Sequence, residues 1–259
     1  MQVDEALKIL VTGANGFIGQ RLCTSLQQCG FEVIPAVRVA TAIDTIAVGD
    51  IGPHTQWHRA LATCPQVVVH LAAQAHSLKN EQSESLSVCR VVNMQGTLNF
   101  ARQAAAAGVK RFVFLSSIKV NGESSLPGRP FRADDQPAPK DQYAISKHEA
   151  EQALHQVARE TGMEVVIVRP PLVYGPGAKA NFASMTRWLV RGLPLPFAAV
   201  TANRRSLVAL DNLVDLIIVC ASHPAASNQT FLASDGQDLS TADLLTRMGG
   251  VLGKPARLI

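Results

Sequence analysis

The segment Gly13-Ala14-Asn15-Gly16-Phe17-Ile18-Gly19 constrains this chain more than any other, because a β-branched run, Lys8 to Thr12, precedes it and a helical run follows. Its three glycines put bare backbone where a strand turns into a helix. A side chain at Gly13 or Gly16 would collide with a phosphate brought up to the helix N-terminus, where unpaired N–H groups and the helix dipole favour an anion. The spacing is G-x-x-G-x-x-G, not the commoner G-x-G-x-x-G, so its position between strand and helix carries the argument. That context predicts a dinucleotide pyrophosphate site.

The rest of the chain continues the alternation. Further strands are expected at Glu32 to Val37, Val67 to Leu71, Arg111 to Leu115 and Val165 to Val168. The helical stretches between them end at glycines: Gly30 after the first, Gly108 after Asn93 to Ala107, and Gly162 after Asp141 to Thr161. Short strands alternating with longer helices predict an α/β fold with a doubly wound parallel sheet. Pro35 conflicts with a full hydrogen-bond ladder in an interior strand, so the second strand's register stays open. From about Gly175 the alternation weakens and clusters such as Gly192-Leu193-Pro194-Leu195-Pro196 appear. Residues 1–174 are therefore expected to form the nucleotide-binding domain with the catalytic residues. Residues 175–259 are expected to form a smaller substrate-binding part, with some chain returning to the core.

With 47% apolar residues over 259 positions, the chain can bury a large core. Its five cysteines are scattered and never form C-x-x-C, which suggests neither a disulfide framework nor a zinc site. The histidines show no ligand spacing, so no metal is expected. The net charge of +4 is spread over dispersed lysines and arginines, unlike the basic stripe of a nucleic-acid binder. No leader and no apolar run of roughly 20 residues is seen, and the chain is read as a soluble cytoplasmic protein without membrane insertion.

The carboxyl end of the second strand should carry the residue that reads the adenosine ribose, an acid for NAD or an arginine for NADP. Glu32 lies at the wrong end, some ~17 Å away at ~3.3 Å per residue. Arg38 stands at the right end and can pair bidentately with a 2′-phosphate, which favours NADP(H) over NAD(H).

Tyr143 and Lys147, four apart in a helical run, share one face. A phenol titrates near pH 10, and a nearby ammonium lowers that value; a shift of three units takes about 4 kcal/mol. Upstream, the strand Arg111 to Leu115 ends at Ser116-Ser117, placing a hydroxyl at the carboxyl edge of the sheet.

Glycine turn, Ser117, Tyr143 and Lys147 together resemble the extended short-chain dehydrogenase/reductase family, which includes nucleotide-sugar epimerases, dehydratases and ketoreductases. Gly49-Asp50-Ile51, His70-Leu71-Ala72-Ala73, Asn93 with Gly96-Thr97, and Arg169-Pro170-Pro171-Leu172-Val173-Tyr174-Gly175 extend the likeness along the chain. The resemblance implies a Rossmann fold and a sugar-nucleotide substrate, UDP-linked by analogy. It implies that Gly13, Gly16, Phe17, Ile18, Gly19, Arg38, Asp50, Ile51, Leu71, Ala72, Ala73, Tyr143, Lys147 and Pro170 bind the cofactor. Tyr143 would be the acid/base, Lys147 would hold the nicotinamide ribose and lower the phenol's pKa, and Ser117 would hydrogen-bond the reacting oxygen. Asn181 and Arg205 fall where relatives contact the substrate diphosphate, and a homodimer through Asn93 to Ala107 and Asp141 to Thr161 is expected by analogy.

Ile118 and Lys119 occupy the positions where dehydrating relatives carry acidic groups, which disfavours 4,6-dehydration. Asn121-Gly122 stands where many relatives have Tyr-Gly. Arg38 favours a reductase drawing on NADPH, and the runs Phe112 to Gly122 and Arg204 to Val208 resemble bacterial UDP-N-acetylquinovosamine-type 4-ketoreductases of surface-polysaccharide synthesis, a resemblance that implies reduction of a UDP-4-keto-6-deoxy sugar. Two alternatives stay open: a UDP-sugar 4-epimerase with bound NAD, and a non-catalytic NADP-binding regulator. Extended relatives run further than Ile259, so the C-terminal lobe is expected to be truncated.

Overall fold

The computed structural model describes residues 6–40, 42–74, 86–178 and 180–259. The chain divides into unit 1, Met1–Pro170 with Val214–Ala233, and unit 2, Pro171–Leu213 with Ser234–Ile259. Strands are β1 (Lys8–Thr12), β2 (Glu32–Val37), β3 (Ile46–Ala47), β4 (Val67–His70), β5 (Arg111–Leu115), β6 (Glu164–Arg169), β7 (Leu172–Tyr174), β8 (Leu207–Ala209) and β9 (Thr230–Leu232). Helices are α1 (Phe17–Gln28), α2 (His58–Leu61), α3 (Leu86–Cys89), α4 (Thr97–Ala106), α5 (Gln142–Thr161), α6 (Ala180–Val190), α7 (Leu210–Ser222) and α8 (Thr241–Val251).

Unit 1 holds a seven-stranded sheet in the order β3-β2-β1-β4-β5-β6-β9, parallel at every pairing. This is the doubly wound arrangement expected from the alternation. β4 is buried throughout and β1, β5 and β6 nearly so. Runs such as Val67-Val68-Val69 are continuous instead of alternating because helices cover both faces of the sheet. Trp57 and Phe100, both fully buried, stack at 3.7 Å and join Phe112, Phe114, Val68 and Ile167 in one cluster.

Pro35 does sit inside a paired strand, opposite Val11 of β1. The conflict dissolves because β3 meets β2 only at Ala36 and Val37, so Pro35 flanks an edge where its missing N–H removes no ladder bond. α5 is capped by Asp141, whose carboxylate accepts from the Ala144 N–H at 2.7 Å, and ends at Gly162 in the left-handed region, φ 74°. The helix expected over Asn93 to Ala107 begins earlier, at Leu86. Its stretch Arg90–Gly96 is π-helical, a wider turn that often marks functional sites. There Asn93, 1% exposed, accepts from the Gln74 N–H and donates to the Gln74 carbonyl and to Ser146 Oγ.

Unit 2 pairs β7 with β8 in parallel and packs Leu189, Leu195 and Leu245 into a small core. Its helix α8 opens with a capping box in which Ser240 Oγ accepts from the Asp243 N–H at 3.0 Å and the Asp243 side chain returns to the Ser240 N–H. Ser240→Ala should lower the stability of this unit by about 1 kcal/mol, read as an earlier midpoint in urea unfolding. No helix of the described residues is long and apolar enough to cross a membrane.

Candidate active site

The glycine turn is built by backbone packing before any ligand is considered. Gly13 has φ 68°, and a Cβ there would lie 3.0 Å from the Ala72 N. A Cβ on Gly19 would lie 2.1 Å from the Gly13 carbonyl oxygen, and one on Gly16 would lie 3.0 Å from that same oxygen. Phosphate clearance, the reason offered from sequence, is thus joined by a second: the turn presses on itself and on the end of β4. α1 starts after Gly16 with no side-chain cap and no acid in its first turn, so the N–H groups of Phe17, Ile18 and Gly19 face outward without a carboxylate competing for them. This is what a pyrophosphate needs.

Around that turn, Ala72 N–H donates to Thr12 Oγ1 at 3.3 Å, beside Leu71 and the exposed Ala73. His70 is fully buried between Thr12 Oγ1 at 2.7 Å and Thr97 Oγ1 at 3.0 Å. Burial first, and the Lys147 charge second, push its pKa down to about 3, so it serves as a neutral strut. Ile51 packs under Gly96, where a Cβ would come 2.7 Å from the Ile51 methyl. Glu32 pairs with Lys8 at the amino end of the sheet, as its position requires. Arg38 is not free: its Nε lies 3.2 Å from Asp50 Oδ1, with both side chains mostly exposed. Arg38 therefore has an acidic partner within the chain, although so exposed a pair is weak.

Ser117 follows the carboxyl end of β5, and Tyr143 and Lys147 stand one turn apart at the start of α5. Ser117 caps a short 3₁₀ turn, Ile118–Val120, its Oγ accepting from the Lys119 N–H at 3.3 Å. Ile118 N–H donates to the carbonyl of the buried Pro170 at 3.0 Å. Lys119 Nζ reaches Asp141, the N-cap of the helix that carries Tyr143 in its first turn. One turn on, Lys147 is 1% exposed; its Nζ donates to the Leu115 carbonyl at 2.7 Å and sits 4.2 Å from the Phe114 ring centroid.

The expectation that Lys147 lowers the Tyr143 pKa is not met in the chain by itself. Burial, then the negative charges of Asp141 and Cys89, push Tyr143 up to about 12, while burial brings Lys147 down to about 7. The reason is geometric: the ammonium points into the strand end, toward a carbonyl and a ring.

A buried charged group was overlooked in the sequence. Glu151, 2% exposed, accepts from Arg169 through both carboxylate oxygens, 2.9 Å from Nε and 2.5 Å from Nη2, and from Ser116 Oγ. Arg169 also donates to Asn121 Oδ1 at 3.0 Å, and Asn121 Nδ2 to the Arg132 carbonyl. Asn121, noted in sequence as a departure from Tyr, thus has a defined part in the network. The one available signal was the four-residue spacing of Lys147 and Glu151 on α5.

Within unit 2, a cleft of about 880 Å³ is lined by Tyr174, Phe182, Arg187, Leu244, Arg247 and Met248, among others. Arg205 is not in that lining; its side chain is exposed, and its backbone bridges Leu239. Asn181 stands in the first turn of α6, and its side chain and His76 lie outside the described residues. Among the described residues no group of three or more His, Cys, Asp or Glu could hold a metal.

The NAD dependent epimerase/dehydratase family model matches residues 9–233. A Vibrio cholerae protein named UDP-glucose 4-epimerase is 50% identical over 251 residues, covering 95% of this chain and 76% of that protein. A Pseudomonas aeruginosa GDP-6-deoxy-D-mannose reductase is 28% identical over 189 residues, covering 71% and 59%. The crystal structure of Thermus thermophilus UDP-glucose 4-epimerase in complex with NAD superposes with a TM-score of 0.82 at 24% identity, over 98% of this chain and 86% of that one. The strand order, the glycine turn and these matches together make the chain an enzyme of the NAD dependent epimerase/dehydratase family, an extended short-chain dehydrogenase/reductase of the nucleotide-sugar epimerase and reductase kind.

Proposed function

We propose that this chain is a UDP-sugar 4-epimerase that keeps a nicotinamide dinucleotide bound through its cycle. The observation that carries this reading is the 50% identity, over nearly the whole chain, to a protein named UDP-glucose 4-epimerase. It replaces the ketoreductase as the leading reading.

The glycine turn fits the dinucleotide: its uncapped α1 N-terminus suits the pyrophosphate, with Asp50 and Ile51 toward the adenosine and Leu71, Ala72, Ala73 and Pro170 along the remainder. When bound, the nicotinamide supplies the hydride acceptor and donor. Tyr143 would take the proton from the sugar's 4-hydroxyl as the ketone forms and return it when the ketone is reduced. Lys147 would place a positive charge near that phenol, and Ser117 would donate to the developing oxygen. Within unit 2, Arg205 and Asn181 are proposed to hold the diphosphate, which suits the exposed guanidinium of Arg205.

Incubation with UDP-glucose, followed by chromatography of the nucleotide sugars, should show UDP-galactose with no net change in reduced-nicotinamide absorbance. A stoichiometric loss of added NADPH with a UDP-4-keto-6-deoxy sugar, and no epimer, would establish the ketoreductase instead. In the same series, Arg38→Ala should weaken NADPH about tenfold more than NADH if Arg38 reads a 2′-phosphate through one charge-assisted hydrogen bond. Equal changes for the two would remove Arg38 from cofactor discrimination.

A further inference from the structure

The catalytic reading leaves the Glu151 network unused, although its members are among the most deeply buried charged side chains described. Glu151 and Arg169 side chains are 3% and 6% exposed, and their fork-like pairing joins α5 to the end of β6. A buried ion pair is seldom a net source of stability, since two charges lose their water to form it; its presence at this depth calls for another reason. Two features point to one. Ser116, whose hydroxyl bonds Glu151 Oε1, immediately precedes Ser117, and its N–H is fixed to the Val168 carbonyl at 2.7 Å. Glu151 also lies one turn beyond Lys147 on the same buried face of α5, and its charge favours the cationic form of that amine.

We propose that Glu151 is a positioning residue of the active site, supplying the negative charge that faces Lys147 and anchoring, through Ser116, the strand end that presents Ser117. Its catalytic meaning rests on the roles given above to Lys147 and Ser117. Of the other titratable groups, His70 at the end of β4 feels the Lys147 charge, Tyr143 lies one turn before Lys147 on α5, and Arg169 on β6 pairs with Glu151. His70 stays neutral, and the Arg169 guanidinium is taken up by Glu151 and Asn121. Glu151 is thus the nearby carboxylate able to offset the burial of the Lys147 amine.

The test is a titration of lysine side chains labelled with carbon-13 at Cε, the Lys147 signal being assigned by its loss in Lys147→Met. Glu151→Gln should lower the Lys147 midpoint by about one pH unit. Glu151→Asp, which retains the charge, should stay close to the parent. Should Glu151→Gln leave Arg169 unpaired and fail to fold, the double variant Glu151→Gln with Arg169→Met is compared with Arg169→Met alone, both lacking the Arg169 charge, and its Lys147 midpoint should lie about one pH unit lower. An unchanged midpoint in a folded variant overturns the proposal. With UDP-glucose, the alkaline limb of the kcat profile should move down with the Lys147 midpoint, and kcat should fall about tenfold while KM shifts less than threefold. A KM change alone would also overturn it. Absence of epimerisation in the parent would remove the proposed function, and the Lys147 titration would still decide the part assigned to Glu151.

Discussion

Replacing Tyr143 with Phe is expected to lower epimerisation by about 10²- to 10⁴-fold, with dinucleotide affinity changed little. The ring stays, so packing in the first turn of α5 is kept; only the hydroxyl that would carry the proton is lost. In the chain by itself the phenol is pushed up to about 12 by burial and by Asp141 and Cys89. It therefore holds its proton across the neutral range, and accepting one from substrate requires a cation brought close. Lys147, brought down to about 7, is the group whose charge must be maintained for this. The sign follows: as pH rises through the Lys147 midpoint the cation disappears, and turnover should decline on the alkaline side. Single-turnover kinetics and dinucleotide titration on Tyr143→Phe check the prediction; full turnover would remove the phenol from proton transfer.

Gly19→Ala is expected to destabilise unit 1 by about 1–3 kcal/mol and to abolish dinucleotide binding. The added methyl would lie 2.1 Å from the Gly13 carbonyl oxygen and 2.8 Å from the Ala14 Cα, so α1 must move off the turn. Backbone cannot swing aside as a flexible side chain can, and the same displacement would carry the uncapped N–H groups away from the anion they serve. Chemical unfolding and calorimetric titration on one preparation read both effects. A variant with the parent's midpoint and affinity would show that the helix can shift without harm.

What could be read in advance, and what could not, divides along a physical line. β1, β2 and β5 stood where local pattern put them, because parallel strands buried on both faces are apolar runs bounded by turns. Glycines 13, 16 and 19 marked their turn for a similar reason, since the constraint lies within seven consecutive residues. The π-helical turn at Arg90–Gly96 had no such signature, as it depends on where Asn93 must reach. Glu151 with Arg169, eighteen positions apart, and Arg38 with Asp50 are pairs made by the fold, and neither side chain names its partner in sequence. In the chain by itself the Tyr143 pKa moves up, not down, because it rests on burial and on where the Lys147 amine points, and neither is written in the four-residue spacing.

The seventh strand has a consequence for how this protein is made. β9 joins β6 only after the chain has left unit 1 at Pro170, come back at Val214 and run on to Thr230. During synthesis the first six strands thus emerge well before the strand that closes their outer side, and β6 waits with its backbone N–H and C=O groups unpaired. An uncapped, apolar strand edge is a template for joining another chain. A ribosome stalled between codons 170 and 230 would therefore hold a nascent chain whose β6 edge is open to another strand, and once made β9 takes over the place at the sheet's edge.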